Sequence, residues 1–347
     1  MTEKNSKIEL YGKTLSELTE QVQAWGLPKF TGKQLAEWLY QKKVYDFEGM
    51  TNISKKNRAF LAENSTITCP KYIQVSESKD GTRKYLYPVI GQEKFIEAVY
   101  IPDENRNTLC ISSQVGCRYA CAFCMTGRQG WQGHLTSGQI VNQVANLPEI
   151  DDLTNIVFMG MGEPFDNPDN VMKTLEILTS EYGLHMSRKR ITVSTIGIIP
   201  AMRRFLDETG CHLAISIHSP FDEERKKLMP VQKLYPIKDV LDTLREYDFD
   251  NHRRVSFEYI LFEGINDSDK HVKELVHVLQ GIRCRVNLMR FHPIPNSPLK
   301  SPSEEVVEHF RKSLNDKGVT ATVRTSRGLD IEAACGMLST KKLQSKE

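Results

Sequence analysis

The chain has 347 residues, so the expectation is two or three units, or one large α/β barrel with appendages. With 39% apolar and 26% charged residues, no apolar run near eighteen and a polar start, it reads as globular, without membrane spans or a secretion signal. A net charge of +2 by itself indicates no polyanionic partner, and eight cysteines in such a chain suggest metal or redox chemistry before a disulfide scaffold.

Residues 1–70 read as helical. Leu15, Leu18 and Val22 share a helix face, and Gln34 to Leu39 continue the pattern after the Gly26/Pro28 break. This part carries no acid–base or metal constellation and suits a packing unit or a docking platform equally. From 71 to 104 the period becomes two. Asp80-Gly81 signals a tight turn, and Lys84–Tyr87 with Phe95–Tyr100 read as strands flanking it. Glu97 lies among the apolar residues of the second run, either facing solvent or aimed into a site.

Between 105 and 318, strand-like runs occur at Thr108–Ser112, Asn155–Met159, Arg190–Thr195, His212–His218, Val255–Leu261 and Arg285–Phe291. Helical patterns separate them, with Ser137, Pro168 and Ser303 near helix starts and Gly318 past an end. Six strand–helix units predict an α/β fold, an open (β/α)6 partial barrel with its site at the C-terminal ends of the strands. A seventh run, Val319–Val323, opens a tail from 319 to 347. Basic clusters, among them Arg188-Lys189-Arg190, Arg225-Lys226-Lys227, Arg283 with Arg285, and Arg324 with Arg327, read as solvated surface and are weak evidence for an anionic partner.

The most specific signal is Cys117-x3-Cys121-x2-Cys124 in the loop after the first barrel strand, with Cys110 seven residues upstream. Three thiolates from one loop can hold three irons of a [4Fe–4S] cube and leave the fourth iron to a small molecule. A structural zinc site would need a fourth, distant ligand and more usual spacing. Phe123 between the last two cysteines is a packing residue or a shield against water. At later strand ends come Gly160-Met161-Gly162-Glu163-Pro164, then Ser194-Thr195-Ile196-Gly197, then Ser216-Ile217-His218. Each alone is an ordinary turn; together, beside the triad, they predict a shared cofactor pocket in which Glu163 accepts hydrogen bonds from a ligand ammonium.

The triad with Phe123 resembles the radical S-adenosylmethionine (SAM) superfamily. The stretch Thr108 to Cys117, the segment Asp330-Ile331-Glu332-Ala333-Ala334-Cys335-Gly336 and the helix around Gln34–Tyr40 are similar to the RlmN/Cfr family of 23S ribosomal RNA adenine methyltransferases. That resemblance spans nearly the whole chain. It implies a radical-SAM barrel with a small helical N-terminal RNA-recognition domain and a β extension. It also implies one [4Fe–4S] cluster on Cys117, Cys121 and Cys124, and SAM held by Gly162, Glu163, Ser194, Ser216, Ile217 and His218. His292 stands where relatives commonly carry Asn, in a place that would bond the ribose or adenine of SAM.

By the same resemblance, one SAM methylates Cys335, and a second is cleaved to a 5′-deoxyadenosyl radical that takes hydrogen from the S-methyl group. The carbon radical adds to adenine C2, which is too electron-poor to displace a methyl group itself. Glu97 corresponds to the base that removes the adduct proton, and Cys110 to the thiol that resolves the adduct as a disulfide with Cys335. Cys69, Cys211 and Cys284 match no motif and are read as structural. The expected partners are 23S rRNA, an adenosine beside the tRNA anticodon in some relatives, and an electron donor such as flavodoxin or ferredoxin. The expected state is a cytoplasmic monomer. The competing readings are C8 methylation of the same adenosine, a glycyl-radical activase and a zinc-stabilised RNA-binding module.

Overall fold

The computed structural model describes residues 7–249, 255–333 and 337–338. The N-terminal unit is formed by β1 (Ile8–Glu9), α1 (Leu15–Ala24), α2 (Phe30–Ala36), α3 (Lys55–Asn64) and β2 (Ser65–Thr66), which pairs in parallel with β1. Thr14 caps α1 by a reciprocal exchange with Glu17, so two backbone N–H groups that the helix cannot satisfy find partners. Residues Glu37–Gln41 follow α2 as a π-helical turn that buries Trp38, Leu39 and Tyr40. The core of this unit also takes in Val141 and Ile177 from two helices of the barrel.

Three antiparallel strands come next: β3 (Gln74–Glu77), β4 (Arg83–Val89) and β5 (Lys94–Ile101). The Asp80-Gly81 turn joins β3 to β4, whereas the sequence pattern predicts it between the strands β4 and β5. The strand β3 is mostly exposed and lacks apolar alternation, so it leaves no period-two signal.

The barrel starts with β6 (Thr108–Cys110), followed by a small hairpin of β7 (Gln114–Gly116) and β8 (Trp131–His134) around the short helix α4 (Met125–Arg128). Then come α5 (Ser137–Ala145), β9 (Asn155–Phe158), α6 (Pro168–Thr179), β10 (Ile191–Thr195), α7 (Ile199–Glu208) and β11 (His212–Ser216). The chain continues through α8 (Asp222–Leu228), α9 (Ile237–Arg245), β12 (Val255–Leu261), α10 (Asp269–Val278), β13 (Cys284–Arg290), α11 (Glu304–Asp316) and β14 (Ala321–Val323). The sheet runs β14-β13-β12-β11-β10-β9-β6-β5-β4-β3. Its first seven strands are parallel, as six strand–helix units plus a last strand require. Because β5 pairs with β6, the β extension is the antiparallel continuation of the barrel sheet. Among the described residues no helix is long and apolar enough to cross a membrane.

Candidate active site

The cysteine loop is built on a backbone only glycine can supply. Gly116 has φ +71°, and a Cβ there would sit 1.8 Å from the carbonyl oxygen of Gly130. From this point the Cys117 N–H donates to the Gly130 carbonyl at 3.1 Å, and the Cys124 N–H donates to that of Cys121 at 3.1 Å. The Ala122 N–H donates to the Leu228 carbonyl at 2.9 Å and ties the loop to α8. Cys117, Cys121 and Cys124 are unpaired thiols, half-buried by side-chain exposure. Burial pushes Cys117 up to about 12, and Cys121 and Cys124 are raised by the same cause; neighbouring cysteines add to the rise for Cys117 and Cys121. Among the described residues no three His, Cys, Asp or Glu side chains converge as around a single ion. A cube takes each thiolate at its own iron, so three half-buried thiols on one loop fit its donor set.

Gly162 has φ +97°, and a Cβ there would lie 2.5 Å from Cβ of Gln114. Gln114 accepts from the Glu163 N–H at 2.8 Å, so the cysteine-loop hairpin holds the Gly-Glu-Pro turn directly. Glu163 is buried. Its Oε1 accepts from the Phe165 N–H at 2.9 Å and the Thr195 hydroxyl at 2.7 Å, and its Oε2 from the Ile196 N–H at 3.0 Å. Burial pushes this carboxyl up to about 7 against those three bonds, which favour the anion. Oε2 keeps one lone pair for a ligand donor, so Glu163 both ties β9 to β10 and retains capacity for an ammonium.

Ser194 lies in β10 on the face of Thr192, and Ser216 ends β11 opposite Glu258 of β12. Between these strand ends sits Arg225 of α8, fully buried although its tripeptide reads as surface. It donates to the carbonyls of Ile196 at 2.8 Å, Ser216 at 3.3 Å and Ile217 at 3.2 Å, and to the Gln232 side chain at 2.5 Å. His218 has φ +53° and is buried, and its Nδ1 accepts from the Ile260 N–H at 3.0 Å. That bond leaves the proton on Nε2, and burial, with the Arg225 charge, lowers the imidazole to about 3. Its ring stands edge-on to Phe123 at 4.7 Å.

A cavity of about 1060 Å³ runs through the barrel, lined at the C-terminal strand ends by Cys110, Phe123, Ile260 and His292. His292 is half-buried. Glu97 faces the sheet side that carries Cys110, since Cys110 pairs with Val99 and Ile101 also lines the cavity. It is buried, and Lys84 Nζ meets its Oε1 at 3.2 Å. The solvent-facing alternative for Glu97 is therefore wrong, because β5 is covered on both sides. Glu258 also faces the interior beside Asn287, which donates to its Oε1 at 2.8 Å; its Oε2 is buried without a protein partner.

Cys335 lies outside the described residues. The chain leading to it crosses the open edge of the barrel as a strap. The Gly328 N–H donates to Asp80 at 2.9 Å, Asp330 accepts from Ser78 at 2.5 Å and from the Lys79 N–H at 3.2 Å, and Lys84 donates to the Glu332 carbonyl at 3.3 Å. Ala333 and Leu338, on either side of Cys335, line the same cavity as Cys110 and Phe123, and Thr126 donates to the Leu338 carbonyl at 3.0 Å. Sequence reasoning gave no site role to Lys84, Gln114, Arg225 or the Asp80/Asp330 latch; they stood in it only as members of a strand, a basic cluster, a turn and the segments that carry the resemblance.

Residues 111–276 match the radical SAM superfamily, and residues 8–67 match the ribosomal RNA large subunit methyltransferase N-terminal domain. A probable dual-specificity RNA methyltransferase RlmN from Porphyromonas gingivalis is 53% identical over 346 residues, covering 100% of this chain and 98% of the relative. The dual-specificity RNA methyltransferase RlmN of Nitratiruptor is 42% identical over 349 residues, covering 95% of this chain and 98% of that one. The crystal structure of a radical SAM methyltransferase from Sphaerobacter thermophilus superposes with a TM-score of 0.88 at 40% identity, over 96% of this chain and 99% of that chain.

Proposed function

Because the chain belongs to the RlmN family of radical SAM RNA methyltransferases, we propose that it methylates C2 of an adenosine in 23S rRNA near the peptidyl-transferase centre. The dual-specificity name of its relatives supports a second substrate, an adenosine beside the tRNA anticodon. Cys117, Cys121 and Cys124 would hold the [4Fe–4S] cluster. Gly162, Glu163, Ser194, Ser216, Ile217, His218 and His292 would hold SAM. Together the two groups supply the one-electron chemistry that an unreactive ring carbon needs.

The chain's own residues do the rest. Cys335 accepts the methyl group as a thiolate, Glu97 removes the proton from the ring carbon, and Cys110 releases the product by forming a disulfide with Cys335. The neutral imidazole of His218 offers an Nε2–H donor. The observation that supports this reading is that Ala333 and Leu338, which flank Cys335 in the chain, line the cavity that Cys110 and Phe123 also line. A flavodoxin- or ferredoxin-like electron donor, monomeric state and cytoplasmic location belong to the same proposal.

The test is anaerobic reaction of the iron-loaded protein with SAM, a reductant and protein-free 23S rRNA, followed by mass mapping of the nucleosides. The expected product is 2-methyladenosine, and Cys335→Ala is expected to abolish it. Methylation at C8 would replace the C2 assignment with the Cfr-type one. RNA methylation surviving in Cys335→Ala would end the thiol-relay reading.

A further inference from the structure

The two ends of the barrel cavity differ in character. At the C-terminal strand ends lie the cysteine loop, bonded to α8 through Ala122, and Leu338, bonded to Thr126. At the N-terminal ends, Arg106, Lys189, Arg190 and Arg285 line the cavity; Arg324 lines it from the C-terminal end of β14, where its N–H donates to the Leu288 carbonyl of β13 at 2.8 Å. Arg106 lies two residues before β6, Arg190 immediately before β10, and Arg285 second in β13. All but the half-buried Arg324 are exposed.

Elsewhere the chain pairs its surface arginines: Arg203 with Glu246 at 2.6 Å, Arg204 with Asp169 at 2.5 Å, and Arg245 with Asp242 at 2.6 Å. At this mouth the pairing is partial: Arg327 meets Asp103 at 3.6 Å. Among the described residues Arg106, Lys189 and Arg285 have no carboxylate within salt-bridge distance, and Arg190 reaches only the amide oxygen of Asn155, at 3.4 Å. Arg324 meets Glu258 at 3.4 Å. The positive charges act on each other: partial burial and then Arg324, Arg190 and Arg285 lower the affinity of Arg106 for its proton, against the opposing carboxylate of Asp103. Like charges gathered with so few counter-charges complement a polyanion, and guanidinium forks match phosphate oxygens.

Cys110 is four residues along the chain from Arg106, about 13 Å in extended chain. An adenosine whose base reaches Cys110 would leave its neighbouring phosphates at this rim. We propose that the N-terminal mouth of the barrel is the RNA entrance, where Arg106, Arg190 and Arg285 grip the phosphates beside the extruded adenosine. This rests on the RNA methyltransferase reading above. Such contacts set register and affinity and carry no base information.

The test is the salt dependence of binding to a transcript of the 23S rRNA segment that carries the target adenosine. Arg106→Gln and Arg285→Gln each remove one arginine–phosphate pair, and each is expected to reduce the slope of log K against log salt by about 0.7 to 1, the double variant by about twice that. Arg311→Gln, on α11 and paired with Glu308, is expected to keep the full slope. A second measurement needs no variant: RNA is expected to protect Arg106 and Arg285 of the wild-type protein from phenylglyoxal. An unchanged slope in an iron-loaded double variant with a wild-type melting curve, or unprotected arginines, would overturn the entrance while methylation by the wild type stands. A wild type that neither binds nor methylates the transcript would instead remove the functional reading, and this inference with it.

Discussion

Arg225 is a buried positive charge with no buried carboxylate beside it; its five hydrogen bonds go to four backbone carbonyls and one amide side chain. Burial lowers it only to about 10, so it stays charged at neutral pH. Its bonds hold the ends of β10 and β11 at fixed spacing, and SAM is proposed to lie across those ends. Arg225→Met is expected to cost about 2–4 kcal/mol, because it strands several buried carbonyls at once; the midpoint of urea unfolding measures it. His218 carries a pH signature of opposite origin. Unfolded, its imidazole takes a proton near 6.5; folded, it refuses one until about 3. Between these values the unfolded state binds the extra proton, so stability falls as pH falls, by about 1.4 kcal/mol per pH unit from this residue. Unfolding curves of His218→Gln against wild type between pH 4 and 6.5 are expected to lose that part of the slope. Neither behaviour was legible in the sequence: Arg225 stands in a basic tripeptide and His218 in a short strand-end motif, and only the packing around them removes the water.

At the scale of elements, the strap from 324 to 333 depends on a turn nearly 250 residues earlier. Burial alone would raise the Asp80 carboxyl, but bonds from the Gly328 N–H, Thr82 and Ser78 hold it down at about 2, and Asp330 is held below its usual range by Ser78 and Lys79. Both folded values are depressed, so the latch is at full strength above about pH 4 and is lost as pH falls through about 2. At neutral pH, Asp80→Asn with Asp330→Asn is expected to raise tryptic cleavage at Arg324 and Arg327 several-fold, because charge-assisted bonds are the stronger ones; an unchanged cleavage rate would show that the latch does not hold the strap. The barrel strands were readable because each is a short apolar run followed by an amphipathic helix. The strands β3, β7 and β8 were not, being three or four residues long and without regular apolar alternation.

For the whole molecule, the N-terminal unit is part of the barrel's packing. Val141 of α5 and Ile177 of α6 are fully buried in its core, and Lys173 of α6 pairs with Glu17 of α1 at 2.5 Å. Deleting residues 1–67 is therefore expected to lower the melting temperature of the remainder and expose a dye-binding apolar face; a barrel that melts as before would show the unit to be separable.

What the sequence determined alone is the chemistry that lives in short spacings: three thiols on one loop, glycines and polar residues at successive strand ends, and the alternation that makes a parallel barrel. Such signals are local, because metal ligation, turn geometry and helix or strand period are set by neighbours a few residues apart. Tertiary structure decided what depends on remote partners. It turned Glu97 inward beside Lys84, buried Arg225 behind the ends of β10 and β11, latched Gly328 and Asp330 onto the turn at Asp80, and gathered Arg106, Arg190 and Arg285 around one opening. Burial and the company of distant charges are properties of the closed fold, and no spacing along the chain encodes them.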